Sequence, residues 1–288
     1  PGDVVLVENP TYFLAAKIFA DHGMRVFGLP TDEAGCCVEA LGARLRDGSL
    51  PRPALLYIVP THSNPAGATL PADRRRTLVE LARQFKFTIL SDDVYEGLDW
   101  NAADARPPGR LLTFDPAWID ADAPDAPSGG GADPSAAPAD EAGAAETEGV
   151  VLSVGAFTKI LAPGVRLGWL EGAPGLINRL ARRGYIVSGG GVAPFASEIV
   201  AELLSADSAG SSPPIDAIIS GLCASYAASC GALCDALHAA SFEFRRPSGG
   251  YFVWVRLPTG VDADALLRTS QERHRLSFLP GTVCAAPA

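Results

Sequence analysis

The sequence lacks the usual signatures of a metal site or a disulfide framework. Its six cysteines form no Cys-x-x-Cys pair, and none of its four histidines stands at metal-ligand spacing from them. Cys223, Cys230 and Cys234 lie at helical spacing in an alanine-rich stretch, which favours reduced thiols buried in a helix. We therefore expect neither a bound metal nor structural disulfides.

The chain also lacks the positive charge of a nucleic-acid-binding protein. Its net charge is -10 and its pI about 4.9, so no nucleic-acid partner is expected. The acidity is concentrated between residues 101 and 149, which hold ten acidic and two basic residues. From Asp120 to Gly149 large apolar side chains are almost missing, so this segment cannot bury enough surface to offset its ordering entropy. We predict a disordered acidic insertion over 120–149.

Long apolar runs and targeting signals are missing as well. No uninterrupted apolar run reaches the ~20 residues of a membrane span, so no membrane partner is expected. Nothing resembles a signal peptide. The chain starts at Pro1, directly before a strand pattern, and stops at Ala288 without an obvious helix end. We expect a fragment of a longer chain and favour a cytoplasmic location, with organelle targeting left open.

Short apolar strands alternate with helical segments through most of the first 190 residues. The run ALLYIV at 54–59 shows little alternation, which is typical of a strand buried on both faces of a parallel sheet. Strand–helix–strand units with short links predict a mostly parallel, doubly wound α/β sheet. The predicted strands are Val4–Glu8, Met24–Gly28, Ala54–Val59, Phe87–Leu90 and Val150–Val154.

The remainder of the chain has longer helices followed by gathered strands. Helices are predicted at 192–205, 215–240 and 262–274, and strands at 242–245, 251–257 and 276–279. This order indicates a second, smaller α+β domain. We therefore divide the chain into a large cofactor-binding domain, 1–191, and an interdomain helix with a partial small domain, 192–288.

A lysine in an apolar setting follows the last strand of the predicted sheet. Lys159 lies in the stretch GAFTKILAPGVRLGW, among Gly, Ala, Phe and Trp, which suits a confined pocket. A lysine in such a place can lose its proton and attack carbonyl groups. Further polar and aromatic residues come after other strands, and the carboxyl ends of parallel strands meet at one edge. They are Tyr12, Asn64, Asp92, Tyr95 and Arg166.

Together these residues fit pyridoxal phosphate. Lys159 suits a Schiff base, and a carboxylate at Asp92 would keep the pyridine nitrogen protonated. Asn64 and Tyr95 suit the ring oxygen, and the guanidinium of Arg166 suits the phosphate. Tyr12 suits stacking on the ring. Each residue alone is more simply a turn former, a cap, a core aromatic or a surface charge, so the prediction depends on their conjunction at strand ends.

Five motifs carry a family resemblance: ENPTY (8–12), PTHSNPAG (60–67), SDDVYEGL (91–98), GAFTKILAPGVRLGW (155–169) and PSGGYFVW (247–254). With them the chain resembles the class I/II aminotransferases of the fold-type I pyridoxal-phosphate family. Within that family it is most similar to the branch that includes 2-aminoadipate and aromatic aminotransferases.

The resemblance implies a ping-pong transfer of an amino group from an amino acid to a 2-oxo acid, by a homodimer. It implies that Lys159 carries the internal aldimine and moves the proton at the substrate α-carbon. It assigns the pyridinium to Asp92, the ring oxygen to Asn64 and Tyr95, the phosphate to Arg166 and the ring face to Tyr12.

Three features depart from the family pattern. Ala156 stands where the family often has a phosphate-binding serine, and Thr158 is a candidate substitute. A glycine-rich phosphate turn and the arginine that binds the substrate carboxylate have no counterpart in the sequence; Arg256, Arg268, Arg273 and Arg275 do not match its motif. Three alternatives stay open: a C–S lyase on the same fold, the effector domain of a transcription regulator, and an inactive fragment.

Overall fold

A seven-stranded sheet forms the centre of the part of the chain that the structure describes. The computed structural model describes residues 1–100, 108–118, 148–191, 193–205 and 212–287. The strands of the sheet are β1 Val4–Asn9, β2 Arg25–Asp32, β3 Gly35–Cys36, β4 Leu55–Ile58, β5 Thr88–Asp92, β6 Val151–Ala156 and β7 Gly168–Gly172. Their order is β3-β2-β1-β4-β5-β6-β7. The five inner strands β2, β1, β4, β5 and β6 are parallel, and the edge strands β3 and β7 are antiparallel to their neighbours.

The described residues also form nine helices, some of which cover the two faces of this sheet. They are α1 Phe13–Asp21, α2 Val38–Arg46, α3 Ala72–Phe85, α4 Phe157–Ile160, α5 Pro174–Ala181, α6 Gly184–Val187, α7 Pro194–Leu204, α8 Pro214–Ala239 and α9 Ala263–His274. Short 3₁₀ turns occur at Leu111–Phe114, Pro163–Val165 and Gly281–Cys284.

Alternate residues of β1 belong to two separate cores. Leu6 packs with residues of α2 and α3, such as Leu41 and Leu78. Val5 and Val7 lie in a second cluster with residues of α1 and α8. Burial on both faces explains why the strand sequences are apolar throughout. The prediction of a mostly parallel, doubly wound α/β sheet is confirmed.

A two-stranded antiparallel sheet, β8 Glu243–Phe244 and β9 Val255–Arg256, follows α8 and precedes α9. Backbone hydrogen bonds tie this region to the large sheet region: Gly250 N–H donates to the Leu98 carbonyl (2.9 Å) and Trp100 N–H to the Ser248 carbonyl (3.0 Å). The strand predicted at 276–279 is wrong. These residues are irregular chain, because no described strand lies beside them to complete a ladder.

Helix α8 stands apart from the other described helices in length and exposure. It has 26 residues, of which Ile215 and Cys234 are buried. By length and composition alone it is the one described helix that could cross a membrane, with a mean hydropathy of 1.6 over 18 residues. A single helix of this kind does not distinguish a membrane span from a helix of a soluble protein.

Asp115 fixes the chain where it enters β6. Its side chain is buried, and Oδ2 accepts hydrogen bonds from the N–H groups of Val150 (2.6 Å) and Val151 (3.0 Å), while Oδ1 accepts from Ala117 N–H (3.2 Å). The predicted acidic insertion, 120–149, lies outside the described residues except for 148 and 149. The division at 191/192 stays a prediction.

Candidate active site

The carboxyl ends of the parallel strands bring the predicted residues to one edge. Tyr12 comes after β1, Asn64 after β4 and Asp92 at the end of β5, while Lys159 lies on α4 directly after β6. β1, β4, β5 and β6 are neighbours in the sheet. Ligands of open α/β sheets bind beyond this edge.

Asp92 is held by a residue that the sequence did not single out. The Tyr57 hydroxyl, on β4, donates to Asp92 Oδ2 at 2.6 Å. Burial raises the pKa of Asp92, whereas the Tyr57 hydrogen bond and the charge of Lys159 lower it. The other oxygen, Oδ1, is buried without a hydrogen-bond partner. The carboxyl group therefore has one acceptor free for a donor in the site.

Asn64 and Tyr95 form a second polar pair in the same place. Both are buried, and the side chain of Asn64 hydrogen-bonds the Tyr95 hydroxyl. Burial and the nearby Asp92 raise the pKa of Tyr95 to about 12, so it is a protonated donor at neutral pH. Asn64 Oδ1 is buried without a hydrogen-bond partner. Tyr12 is close enough to affect the Tyr95 pKa electrostatically, which places it on the same side of the sheet.

Lys159 sits on the one-turn helix α4 and is half-buried. Its Nζ lies 5.3 Å from the centroid of the Tyr251 ring, and the Tyr251 hydroxyl donates to the Lys159 carbonyl at 2.9 Å. Tyr251 was not among the predicted site residues. It belongs to the motif PSGGYFVW, but the sequence gives no local sign of a contact with a residue 92 positions away.

Arg166 lies beside the other site residues along the chain but on an exposed turn. It adopts a left-handed conformation (φ 54°), and its Nη1 donates to the Pro163 carbonyl at 3.3 Å. Together with Thr158 and Ala156 it lines an open hollow of about 470 Å³. The hydroxyl of Thr158 and the guanidinium of Arg166 are therefore available to one anion, whereas Ala156 offers no side-chain donor.

A buried arginine braces the loop that carries Asn64. Arg75, on α3, has no exposed surface. Its Nε donates to the Leu70 carbonyl (2.7 Å), and its Nη2 donates to the Pro60 carbonyl (2.8 Å) and to Thr61 Oγ1 (2.9 Å). Burial lowers the pKa of Arg75 to about 10. Because it binds both ends of the loop, Arg75 fixes where Asn64 points.

A network of hydrogen bonds and ion pairs joins the residue after β5 to β6, next to the site. Asp93, next to Asp92, accepts a hydrogen bond from Ser153 Oγ at 2.5 Å, and Arg110 donates to the same hydroxyl at 2.7 Å. Arg110 also pairs with Glu171 on β7 at 2.5 Å. Burial raises the pKa of Asp93, and its hydrogen bonds oppose that shift. The network locks the strand that ends at Asp92 against the strand that leads to the lysine.

The arrangement fits pyridoxal phosphate in two places: one group of side chains suits its ring, and another suits its phosphate. Asp92 Oδ1 is a buried acceptor suited to a protonated ring nitrogen, and Asn64 and Tyr95 suit a ring oxygen. Thr158 and Arg166 share a hollow suited to a phosphate. Among the described residues, no group of three or more His, Cys, Asp or Glu side chains could hold a metal ion.

The chain is similar to known aminotransferases in both sequence and structure. The aromatic-amino-acid aminotransferase 1 of Thermococcus litoralis is 27% identical over 290 residues, which cover 98% of this chain and 58% of that protein. The solved kynurenine aminotransferase of Pyrococcus horikoshii, in complex with PMP, KYN as substrates and KYA as products, superposes with a TM-score of 0.76 at 27% identity. That match covers 99% of this chain and 61% of that one.

A third relative is a regulator rather than a named enzyme. The uncharacterized HTH-type transcriptional regulator YisV of Bacillus subtilis is 30% identical over 179 residues, which cover 62% of this chain and 29% of that protein. The chain thus spans about three fifths of the length of the Thermococcus litoralis and Pyrococcus horikoshii aminotransferases. The sequence model of the family "Aminotransferase class I and II" matches residues 1–288. This chain therefore belongs to the class I and II aminotransferase family.

Proposed function

We propose that this chain is part of a pyridoxal-phosphate-dependent aminotransferase. The observation that carries the proposal is the meeting of Lys159 with a buried, unpartnered carboxylate oxygen of Asp92 and with the buried Asn64–Tyr95 pair at the carboxyl edge of the sheet. The relative from Pyrococcus horikoshii contains PMP, the amino form of the same cofactor.

When bound, pyridoxal phosphate supplies an aldehyde that takes up amino groups and a ring that draws electrons from the substrate α-carbon. Asp92 would hold the ring nitrogen in its protonated form, with Tyr57 orienting the carboxylate. Asn64 and Tyr95 would bind the ring oxygen, and Tyr12 would cover the ring face. Thr158 and Arg166 would bind the phosphate.

Lys159 would hold the aldehyde covalently and move the proton at the substrate α-carbon. Its amine is near enough to Asp92 to affect the pKa of that carboxyl group, so both residues face the same space. An amine that abstracts a proton from carbon must be neutral when it acts. The substrates would be an amino acid and a 2-oxo acid.

Reduction with borohydride tests this proposal directly. The full-length protein is incubated with pyridoxal phosphate, reduced and digested, and the labelled peptide is identified by mass spectrometry. We expect the label on Lys159, with no label in the matched variant Lys159→Arg. The sequence has only two other lysines, Lys17 and Lys86, both exposed. A label on either of them, or none, would refute the proposal.

A product assay separates transamination from elimination. We expect amino-group transfer to 2-oxoglutarate, whereas a C–S lyase on the same fold would release ammonia and pyruvate from a sulfur-containing amino acid. Release of ammonia without transfer would replace the aminotransferase by the lyase.

The relation to YisV favours a second candidate, the effector domain of a transcription regulator. In that case the full-length protein would bind DNA through a segment outside this chain. A basic winged-helix segment in the full open reading frame, together with DNA binding that responds to pyridoxal phosphate, would favour the regulator over the enzyme.

We also propose a homodimer. Tyr185 and Val187 on α6 and Phe195 on α7 are 70%, 72% and 81% exposed, and clusters of exposed apolar side chains mark surfaces that contact a partner. Sedimentation velocity of the full-length protein is expected to give twice the mass of one chain, and a monomer at micromolar concentration would contradict this.

A further inference from the structure

The turn that carries Lys159 lacks N–H groups that could donate hydrogen bonds to its last carbonyl groups. The helix α4 is a single turn, and the N–H groups of Leu161 and Ala162 both donate to the Phe157 carbonyl, at 2.9 and 3.1 Å. The partner of the Lys159 carbonyl in a longer helix would be residue 163, which is a proline without an N–H. The carbonyl of Lys159 therefore needs a donor from elsewhere.

Tyr251 supplies this donor from the C-terminal part of the chain. Its hydroxyl donates to the Lys159 carbonyl at 2.9 Å. The same ring lies 5.3 Å from Lys159 Nζ, within the range of a cation–π interaction. One side chain thus contacts the lysine at its backbone and at its amine.

Two further tyrosines hold the Tyr251 ring in this place. The Tyr226 hydroxyl, on α8, is 3.2 Å from the Tyr251 hydroxyl, and the two ring centroids are 5.1 Å apart. The Tyr95 ring also packs against the Tyr251 ring, with the two centroids 5.5 Å apart. Burial raises the pKa of Tyr251, so its hydroxyl stays protonated and able to donate.

We propose that Tyr251 is a positioning residue for Lys159 and that Tyr226 orients its hydroxyl. Tyr251 completes the hydrogen bonding of the lysine's turn and restrains the amine, so the C-terminal region controls the reactive group of the sheet region. The proposal rests on the proposed function for the role of Lys159, but the restraint exists with or without cofactor.

Competitive labelling measures the restraint without any activity assay. The cofactor-free full-length protein reacts with trace acetic anhydride, and mass spectrometry compares Lys159 with the exposed references Lys17 and Lys86. Tyr251→Phe keeps the ring and loses the hydrogen bond, whereas Tyr251→Leu loses both. We expect the ratio of Lys159 labelling to reference labelling to rise about threefold in Tyr251→Phe and about tenfold in Tyr251→Leu.

Cofactor attachment gives the second readout. The rate at which pyridoxal phosphate becomes trappable on Lys159 is expected to fall about threefold in Tyr251→Phe, with a smaller fall in Tyr226→Phe. Thr269→Val removes an exposed hydroxyl that donates to the Ala265 carbonyl on α9 at 3.0 Å; it is the matched control and is expected to alter neither readout.

The outcomes separate positioning from a purely structural role. A structural role would lower the melting temperature and leave the labelling ratio unchanged, and an unchanged ratio in folded Tyr251→Phe overturns the proposal. Tyr251→Phe also decides the matter if Tyr251→Leu does not fold. Failure of wild-type protein to bind cofactor would count against the proposed function, while the labelling ratio would still test Tyr251.

Discussion

The sheet region, which comprises the described residues up to 191, and the C-terminal region, the described residues from 193 onward, bury their side chains very differently. In β1 five of six residues are buried, and Leu56, Ile58 and Ile89 on β4 and β5 have no exposed surface. In contrast, α8 buries two of its 26 residues. The sheet region thus has a hydrophobic core of its own, whereas α8 in the C-terminal region leaves most of its side chains outside a core.

Because of this difference, the two regions contribute differently to the stability of the fold and to the chemistry of the site. The strands place Asn64, Asp92 and Lys159 through packing that is local to the sheet region. The C-terminal region contributes few buried residues but places Tyr251 against the lysine. We therefore expect substitutions in the sheet to act mainly on folding, and those in the C-terminal region to act mainly on the geometry of the site and on association.

A pair of leucine substitutions gives the largest expected contrast. Leu56→Ala, at a fully buried position, is expected to lower the free energy of unfolding by about 2–5 kcal/mol, because it removes buried methyl groups and leaves a cavity. Leu233→Ala, at a 49% exposed position on α8, is expected to cost less than about 1 kcal/mol. Urea denaturation of both variants measures the difference, and equal losses would break the comparison.

Glu8 makes the stability of the sheet region depend on pH. Burial raises its pKa from 4.5 to about 8, although the Val59 N–H donates to it at 3.0 Å. A raised carboxyl pKa means that the folded state binds the proton more tightly, so its stabilising effect is full below pH 4.5 and is lost as the pH rises through 8. Wild-type protein is expected to lose about 3 kcal/mol between pH 5 and 8 through this group.

Glu8→Gln is expected to remove that loss while leaving the stability at pH 5 nearly unchanged. Glu202→Gln, on the exposed surface of α7, is the control from the C-terminal region and is expected to keep the wild-type pH profile. Thermal melts from pH 5 to 8 provide the measurement. A wild-type profile in Glu8→Gln would show that the carboxyl group does not titrate in this range.

Tyr57→Phe tests a residue of the sheet region that acts on the candidate active site. It removes the hydrogen bond that lowers the pKa of Asp92, so the carboxylate is less stable and pairs less well with a protonated ring nitrogen. We expect the affinity for pyridoxal phosphate to fall about fivefold, measured by fluorescence titration. If the affinity stays at the wild-type value, Tyr57 does not support Asp92 in cofactor binding.

Replacement of residues 120–147 by a short Gly-Ser linker is expected to have the smallest effect. The composition of this segment offers little apolar surface to bury, so the melting temperature should change by no more than about 2 °C. Residues 148–151 are kept, because Asp115 binds the backbone there. A large fall in melting temperature would show that the segment contributes to the fold.

The sequence predicted the five parallel strands because strands that are buried on both faces leave unbroken apolar runs, as ALLYIV does, whereas the antiparallel edge strands β3 and β7 were missed. It also predicted Asn64, Asp92 and Lys159 as neighbours, since strand ends of a parallel sheet share an edge. Tyr57 and Tyr251 were missed because their contacts join residues 35 and 92 positions apart and leave no local pattern. The strand at 276–279 was predicted from apolar content alone, which does not reveal whether a pairing strand is present.

The carboxylate of Asp115 has a practical meaning for protein engineering. The described chain leaves the sheet region at Trp118 and returns at Glu148, and Asp115 grips the returning backbone immediately before β6. Tension applied by a fused reporter or affinity tag between these points would be borne by that carboxylate before it reached β6 and Lys159. The acidic segment is thus a suitable insertion site for such a tag, and Lys159 follows it closely in the sequence.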